Sequence, residues 1–143
     1  MFVLTLAAVV SGWLSVAVAA GDDGCLLLTG LDASRTAAFA TGSEAALREV
    51  YVAGAGERDV AVLRDYAGRG LRLVGVAPRL LRCETVGGGP AVRRLEVIER
   101  LSAARAVGAG VDRPLPSGRP RARAIVLRLG GDGRWRVAQV GER

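Results

Sequence analysis

The chain has 143 residues, half of them apolar but only 4% aromatic, so a single hydrophobic core is expected, built mainly from Ala, Val and Leu. The formal charge is +6, and all 20 basic residues are arginine; there is no Lys and no His. The absence of His excludes a His-based triad, an imidazole general base and His-ligated metal, and two cysteines are too few for a closed Cys-only zinc site within one chain.

Residues 2–20 contain no charge. As a helix this stretch would span roughly 28 Å, close to the thickness of a bilayer's hydrocarbon core. It reads as a membrane anchor or a secretory signal peptide. Ala17-Val18-Ala19 satisfies the small-x-small rule for cleavage before Ala20, whereas the length of the apolar run and the lack of a basic start favour an anchor. Both readings place the remainder outside the cytoplasm. The expected organisation is a signal or anchor at 1–20, a short linker at 21–25 and one domain at 26–143.

In that domain, Leu27, Leu28 and Leu31 begin a helical stripe that continues through Ser34, Ala37 and Ala38, with Asp32, Arg35 and Thr36 expected towards solvent. The helix should stop near Thr41-Gly42. Ser43 then caps a short second helix with Glu44 in its first turn and Ala46, Leu47, Val50 and Tyr51 on its buried side. A third helix is expected over 58–67, with Val60, Leu63 and Tyr66 facing inward and Gly68 or Gly70 ending it.

From Leu71 the period changes to that of strands. Residues 71–76 alternate, Pro78 interrupts, 80–86 form a second strand, and 87–90 turn. Residues 92–103 fit either period; their glycine flanks and neighbouring strands favour a strand. Residues 108–121 predict a mobile basic loop. Ile125, Leu127 and Leu129, a Gly130-Gly131-Asp132-Gly133 turn, then Trp135 and Val137 mark a β-hairpin. Helices followed by antiparallel strands predict an α+β fold.

Three segments, LDASRTAAFATGSEAALREVY, VAVLRDYAGRGLRLVGV and RAIVLRLGGDGRWRVAQV with its Asp132-Gly133-Arg134-Trp135 turn, resemble the nuclear transport factor 2-like superfamily, which includes the SnoaL-like and polyketide-cyclase-like domains. The resemblance is one of organisation and is spread over residues 26–140. It implies a cone: a bent antiparallel sheet wrapped round a pocket by the N-terminal helices. Some members are enzymes with Asp and His in the pocket, and the lack of His prevents that dyad from being carried over. Others only bind ligands or partners.

Cys25 and Cys83 are an even pair in a chain read as exported, which favours a disulfide over two separate thiols. Closing that loop stabilises by roughly 4 kcal/mol on the chain-entropy model. Tyr51, Tyr66 and Trp135 are the candidates for lining a ligand pocket. Glu84, Glu96 and Glu99 could form a carboxylate cluster, but Arg82, Arg93, Arg94 and Arg100 beside them predict outer-face ion pairs instead. Basic charge without aromatics for stacking argues against nucleic acid, and the 113–123 arginines are read as solvated, with anionic lipid as the alternative.

The expected role is a non-enzymatic domain binding an envelope protein partner or a small apolar ligand, with no metal and no cofactor implied. The alternatives are a small cyclase- or isomerase-type enzyme, marked by a buried carboxylate, and a membrane-tethered scaffold of a secretion or transport complex.

Overall fold

The computed structural model describes residues 23–143. The apolar segment 2–20 and its cleavage motif lie outside the described residues. Among the described residues no helix is long and apolar enough to cross a membrane.

Among the described residues three helices precede seven strands. They are α1 (Asp23–Thr41), α2 (Glu44–Glu49) and α3 (Glu57–Gly68), then β1 (Arg72–Val74), β2 (Pro78–Gly89), β3 (Val92–Leu101), β4 (Arg105–Gly108), β5 (Val111–Pro114), β6 (Arg121–Leu129) and β7 (Trp135–Glu142). The strands make two antiparallel sheets, one of order β2-β3-β6-β7 and a smaller one of order β1-β4-β5. The helices pack against them, so the fold is α+β with a helix-covered, bent sheet, in agreement with a cone. Register shifts at Leu80/Arg82, Thr85/Gly87 and Val126/Leu127 supply irregularities that bend the large sheet.

The α1–α2 junction follows from sequence. Gly42 takes φ +68°, Gly42 N donates to Phe39 O (3.2 Å) and Ser43 N to Ala38 O (3.0 Å), the paired bonds of a Schellman stop. The Ser43 hydroxyl then accepts from Ala46 N at 3.1 Å and caps α2. After α2 the chain runs along β7: Val137 N donates to Val50 O (2.8 Å) and Val52 N to Val137 O (2.9 Å). This parallel bridge fixes Tyr51 between α2 and the sheet.

The core has two clusters. One joins Ala38, Phe39, Leu47, Val60 and Leu63 of the helices to Leu73 and Ala106 of the small sheet and to Val76 and Ala104 beside it. The other joins Leu28 and Val50 to Leu95, Val97, Ile125, Leu127 and Val137 of the large sheet.

The start of α1 is held in three ways. Cys25 and Cys83 form a disulfide (Cα–Cα 6.0 Å) that ties α1 to β2. Gly24 lies so close to β3 that a Cβ there would stand 2.5 Å from Leu95 Cδ2 and 2.6 Å from Thr85 Oγ1. Asp23 pairs with Arg93 at 2.8 Å, and the Arg93 guanidinium lies 5.0 Å over the Trp135 ring. Residues 23–25, assigned by sequence to a linker, are therefore the first turn of α1.

Four other expectations change. Asp32 and Arg35 do not face solvent: with Leu28 and Phe39 they follow the 28, 32, 35, 39 helical face and turn inward, while Ser34 and Ala37 are exposed. Ala46, expected on the buried side of α2, is exposed. The proposed loop at 108–121 contains β5, which pairs with β4 in register Arg105↔Pro114 to Gly108↔Val111. Its polar residues hid it, because a two-sided exposed strand has no apolar alternation to read. The turn predicted at 87–90 is shorter, since β2 runs to Gly89.

The disulfide closes a 58-residue separation. Replacing Cys25 and Cys83 together by Ala is expected to lower unfolding stability by about 4 kcal/mol or less, read as a fall in the urea midpoint. Two free thiols in the denatured, unreduced wild type would contradict the bond.

Candidate functional site

Between the helices and the two sheets lies a cavity of about 540 Å³. Its walls are largely apolar, with Leu28 and Phe39 from α1, Leu73 and Val76 from the β1 region, and Ile125 and Val137 from the large sheet. Set into these walls is a polar group drawn from five parts of the chain: Asp32 and Arg35 on α1, Tyr51 after α2, Asp59 on α3, and Glu99 and Arg123 on β3 and β6.

Arg35 is the centre of that group. Its Nε and Nη2 donate to Asp59 Oδ2 (2.5 Å) and Oδ1 (3.0 Å), a two-point ion pair, and its Nη1 donates to Val76 O at 3.3 Å. The Tyr51 hydroxyl donates to the same Asp59 Oδ2. Gly56 lets the Tyr51 ring settle here, because a Cβ at position 56 would stand 2.5 Å from the ring. Burial pushes the Asp59 carboxyl up, but the hydrogen bonds and charge of Arg35, with the Tyr51 hydroxyl, outweigh it and hold Asp59 below the ordinary carboxylate value. Burial and the neighbouring Asp59 charge raise the Tyr51 phenol, which stays protonated at neutral pH. Burial disfavours the Arg35 charge, yet the Asp59 bond and charge more than compensate, so Arg35 remains a cation.

Asp32 differs from Asp59. Its carboxylate has no hydrogen-bond partner among the described residues, although its own backbone carbonyl accepts from Thr36 Oγ1 (2.7 Å). Burial raises its pKa first, the Glu99 charge next, and Arg35 opposes them only in part; the result is about 7. Glu99, facing into the cavity, pairs with Arg123 Nε at 3.2 Å. That contact lacks hydrogen-bond alignment, and the Arg123 Nε is buried without a hydrogen-bond partner. The site thus holds a locked network, Arg35–Asp59–Tyr51, and beside it one carboxyl able to give or take a proton near neutral pH.

Two of the three aromatic candidates line this cavity. Tyr51 enters the Asp59 network, and Tyr66 lies on the α3 wall with the Arg69 guanidinium 4.5 Å over its ring. Trp135 is not in the lining; it packs against the large-sheet core and under Arg93, where it helps hold the start of α1. Of the carboxylates grouped by sequence, only Glu99 reaches the cavity. Glu84 and Glu96 face each other across β2 and β3, with Arg82 3.7 Å from Glu84 and Arg143 2.6 Å from Glu96. Arg93, expected to pair with these glutamates, bonds Asp23 instead. No group of three or more acidic or cysteine side chains among the described residues is arranged to hold a metal ion.

From sequence, Asp32 and Arg35 are expected towards solvent, Arg123 counts among the solvated arginines and Asp59 has no assigned role. The available signal was on α1, where Asp32 and Arg35 occupy helical spacing between Leu28 and Phe39.

No protein-family model matches the chain, and no curated protein matches it. Solved structures do. A protein from Catenulispora acidiphila in complex with S-DNPA aligns with TM-score 0.55 and 12% identity, covering 84% of this chain and 92% of that one. The intermembrane space region of the chloroplast protein ARC6 aligns with TM-score 0.52 and 13% identity, over 84% and 93% of the two chains. A second Catenulispora acidiphila structure gives TM-score 0.50 and 13% identity, over 85% and 94%. At such identities these likenesses concern the fold alone, and they agree with the α+β arrangement of helices on a bent antiparallel sheet.

Two measurements check the electrostatics. A carbon-detected NMR titration of the Asp32 carboxyl is expected to show a midpoint of about 7. The folded value lies above the unfolded one, so the native state holds the extra proton between about pH 4 and 7 and loses stability as pH rises through that window. Asp32→Asn should remove this slope and raise stability at about pH 8 by roughly 1–3 kcal/mol in urea melts. Conversely, Asp59→Asn leaves Arg35 without its counter-charge. A loss of about 2 kcal/mol is expected, with a smaller loss of about 1 kcal/mol for Tyr51→Phe.

Proposed function

We propose that this domain binds a small, largely apolar ligand within the cone, with Asp32 as the group that exchanges a hydrogen bond or proton with it. One observation carries the reading: a cavity of about 540 Å³ whose mainly apolar walls contain a carboxyl with no hydrogen-bond partner among the described residues. Cavities of that size suit small organic molecules, which are oriented by a few polar groups on apolar walls. The reading extends to place: binding occurs outside the cytoplasm. The Cys25–Cys83 disulfide favours an oxidising compartment, and the uncharged segment at 2–20 supplies the export signal or anchor.

A second reading is favoured by the state of Asp32. A carboxyl titrating at about 7 is matched to proton transfer at neutral pH, so the same cavity suits a cyclase- or isomerase-type reaction with Asp32 as general base. In that case Asp32 takes a proton from carbon next to a carbonyl and returns it to another position, while the Arg35–Asp59–Tyr51 network keeps α1 and α3 in place.

The neutral fluorophore N-phenyl-1-naphthylamine tests binding. Saturable 1:1 uptake is expected, and Val140→Trp, a half-exposed position in the lining, should reduce it at least about tenfold by filling the cavity. Absence of saturable uptake would refute the binding reading. Mass spectrometry of deuterium incorporation from D2O into a panel of β,γ-unsaturated ketones separates the two readings. Exchange that Asp32→Asn abolishes supports catalysis; uptake without exchange leaves binding alone.

A further inference from the structure

The charges around the cavity do not balance. Five arginines line it, Arg35, Arg58, Arg119, Arg121 and Arg123, against the carboxylates of Asp32, Asp59, Glu99 and Glu142. Three pairs form: Arg35 with Asp59, Arg123 with Glu99 at 3.2 Å and Arg121 with Glu142 at 3.5 Å. Among the described residues Arg58 and Arg119 have no ion pair or hydrogen bond from their side chains, and both are exposed, which places them at the mouth. Arg119 belongs to a segment tied down on either side of Pro116, by Leu115 N to Ala104 O (2.8 Å) and Gly118 N to Leu101 O (2.8 Å).

We propose that the ligand is an amphiphile with a single anionic head, held at the mouth by Arg58 and Arg119 while its apolar body runs down the cone past Leu101, Leu115 and Val76. The inference rests on the ligand-binding reading above and adds the chemical class. Two exposed guanidinium groups in the lining, neither in an ion pair among the described residues, favour an anion by charge and by forked donor geometry, and the apolar walls favour a hydrocarbon body. Asp32 fits the same picture. Its proton-bearing form is neutral, so it does not repel the anion, and it stands in the wall as a donor to an oxygen on the ligand body.

The test is displacement of N-phenyl-1-naphthylamine by three twelve-carbon probes at about pH 6, where a free carboxylic acid is ionised while the Asp32 carboxyl keeps its proton. Dodecanoate should displace the dye about tenfold more tightly than 1-dodecanol, and dodecyltrimethylammonium less tightly than 1-dodecanol. Raising the salt concentration should narrow the dodecanoate preference, because the head sits in a water-exposed rim. The double variant Arg58→Gln/Arg119→Gln changes two exposed residues outside the helix–sheet core. It should bring dodecanoate and 1-dodecanol to within about twofold while leaving the 1-dodecanol constant unchanged. Dye uptake with equal displacement by both probes in the wild type, or a preference that survives in the double variant, would overturn the anionic-head inference and leave the binding reading standing. Absence of saturable dye uptake would remove both.

Discussion

The structure depends on one ion pair. Arg35 of α1 and Asp59 of α3 meet at two points, Tyr51 donates to the same carboxylate, and Arg35 also reaches the Val76 carbonyl beyond β1. Four separate parts of the chain are thereby fixed around a space that apolar packing leaves open. A cone of this size has too few large side chains to fill itself, with only six aromatics in the whole sequence and much of the core built from Leu, Val and Ala. A partly buried pair that is fully hydrogen-bonded holds helix against helix without occupying the centre. Its side chains are 25% and 17% exposed, so part of the desolvation penalty of a buried pair is avoided while water screening stays limited.

The other end of α1 is held by different means. The disulfide, the glycine contact with β3 and the Asp23–Arg93–Trp135 stack all act within one turn of the helix start. Between that turn and Arg35, α1 has little freedom to tilt, and Asp32 lies in that interval. The position of the unpartnered carboxyl is therefore set by elements that do not touch it. This is how a small, aromatic-poor domain can present a defined polar group inside a cavity.

The fold was more legible in the sequence than the site was, for a physical reason. Helix ends announce themselves through local chemistry: Gly42 for a left-handed stop, Ser43 for a cap, Gly70 after α3. The terminal hairpin announces itself through strict alternation around a Gly-Asp-Gly turn, in which Asp132 accepts from Arg134 N and from Arg136. A cavity reverses the usual pattern. Its lining is polar where a filled core would be apolar, so Asp32 and Arg35 look like a solvent face although they continue the line from Leu28 to Phe39. The Arg35–Asp59 and Asp32–Glu99 relations join residues far apart in sequence, and no spacing rule reveals them. The Cys25–Cys83 pairing was accessible only because two cysteines allow a single intrachain bond. β5 was lost because Val111–Pro114 is exposed on both faces and carries an Asp, an Arg and a Pro.

Asp32 stands at odds with economy of folding. A carboxyl raised to about 7 by burial and by Glu99 lowers the stability of the native state at neutral pH, and its neighbour Asp59 shows that the same wall can neutralise a carboxylate fully when an arginine is aimed at it. Arg123 stands in the same wall, yet it is committed to Glu99 through a contact that leaves its Nε without a hydrogen bond. An asparagine at position 32 would relieve the charge, and a leucine would extend the apolar stripe of α1. Retaining an aspartate there means accepting a strained electrostatic position in a domain that is otherwise conventionally packed. Such departures from local consistency concentrate where a protein meets something other than itself. Asp32 stands in the cavity wall without a side-chain hydrogen bond among the described residues, and that one buried departure is the argument for seeking the ligand there.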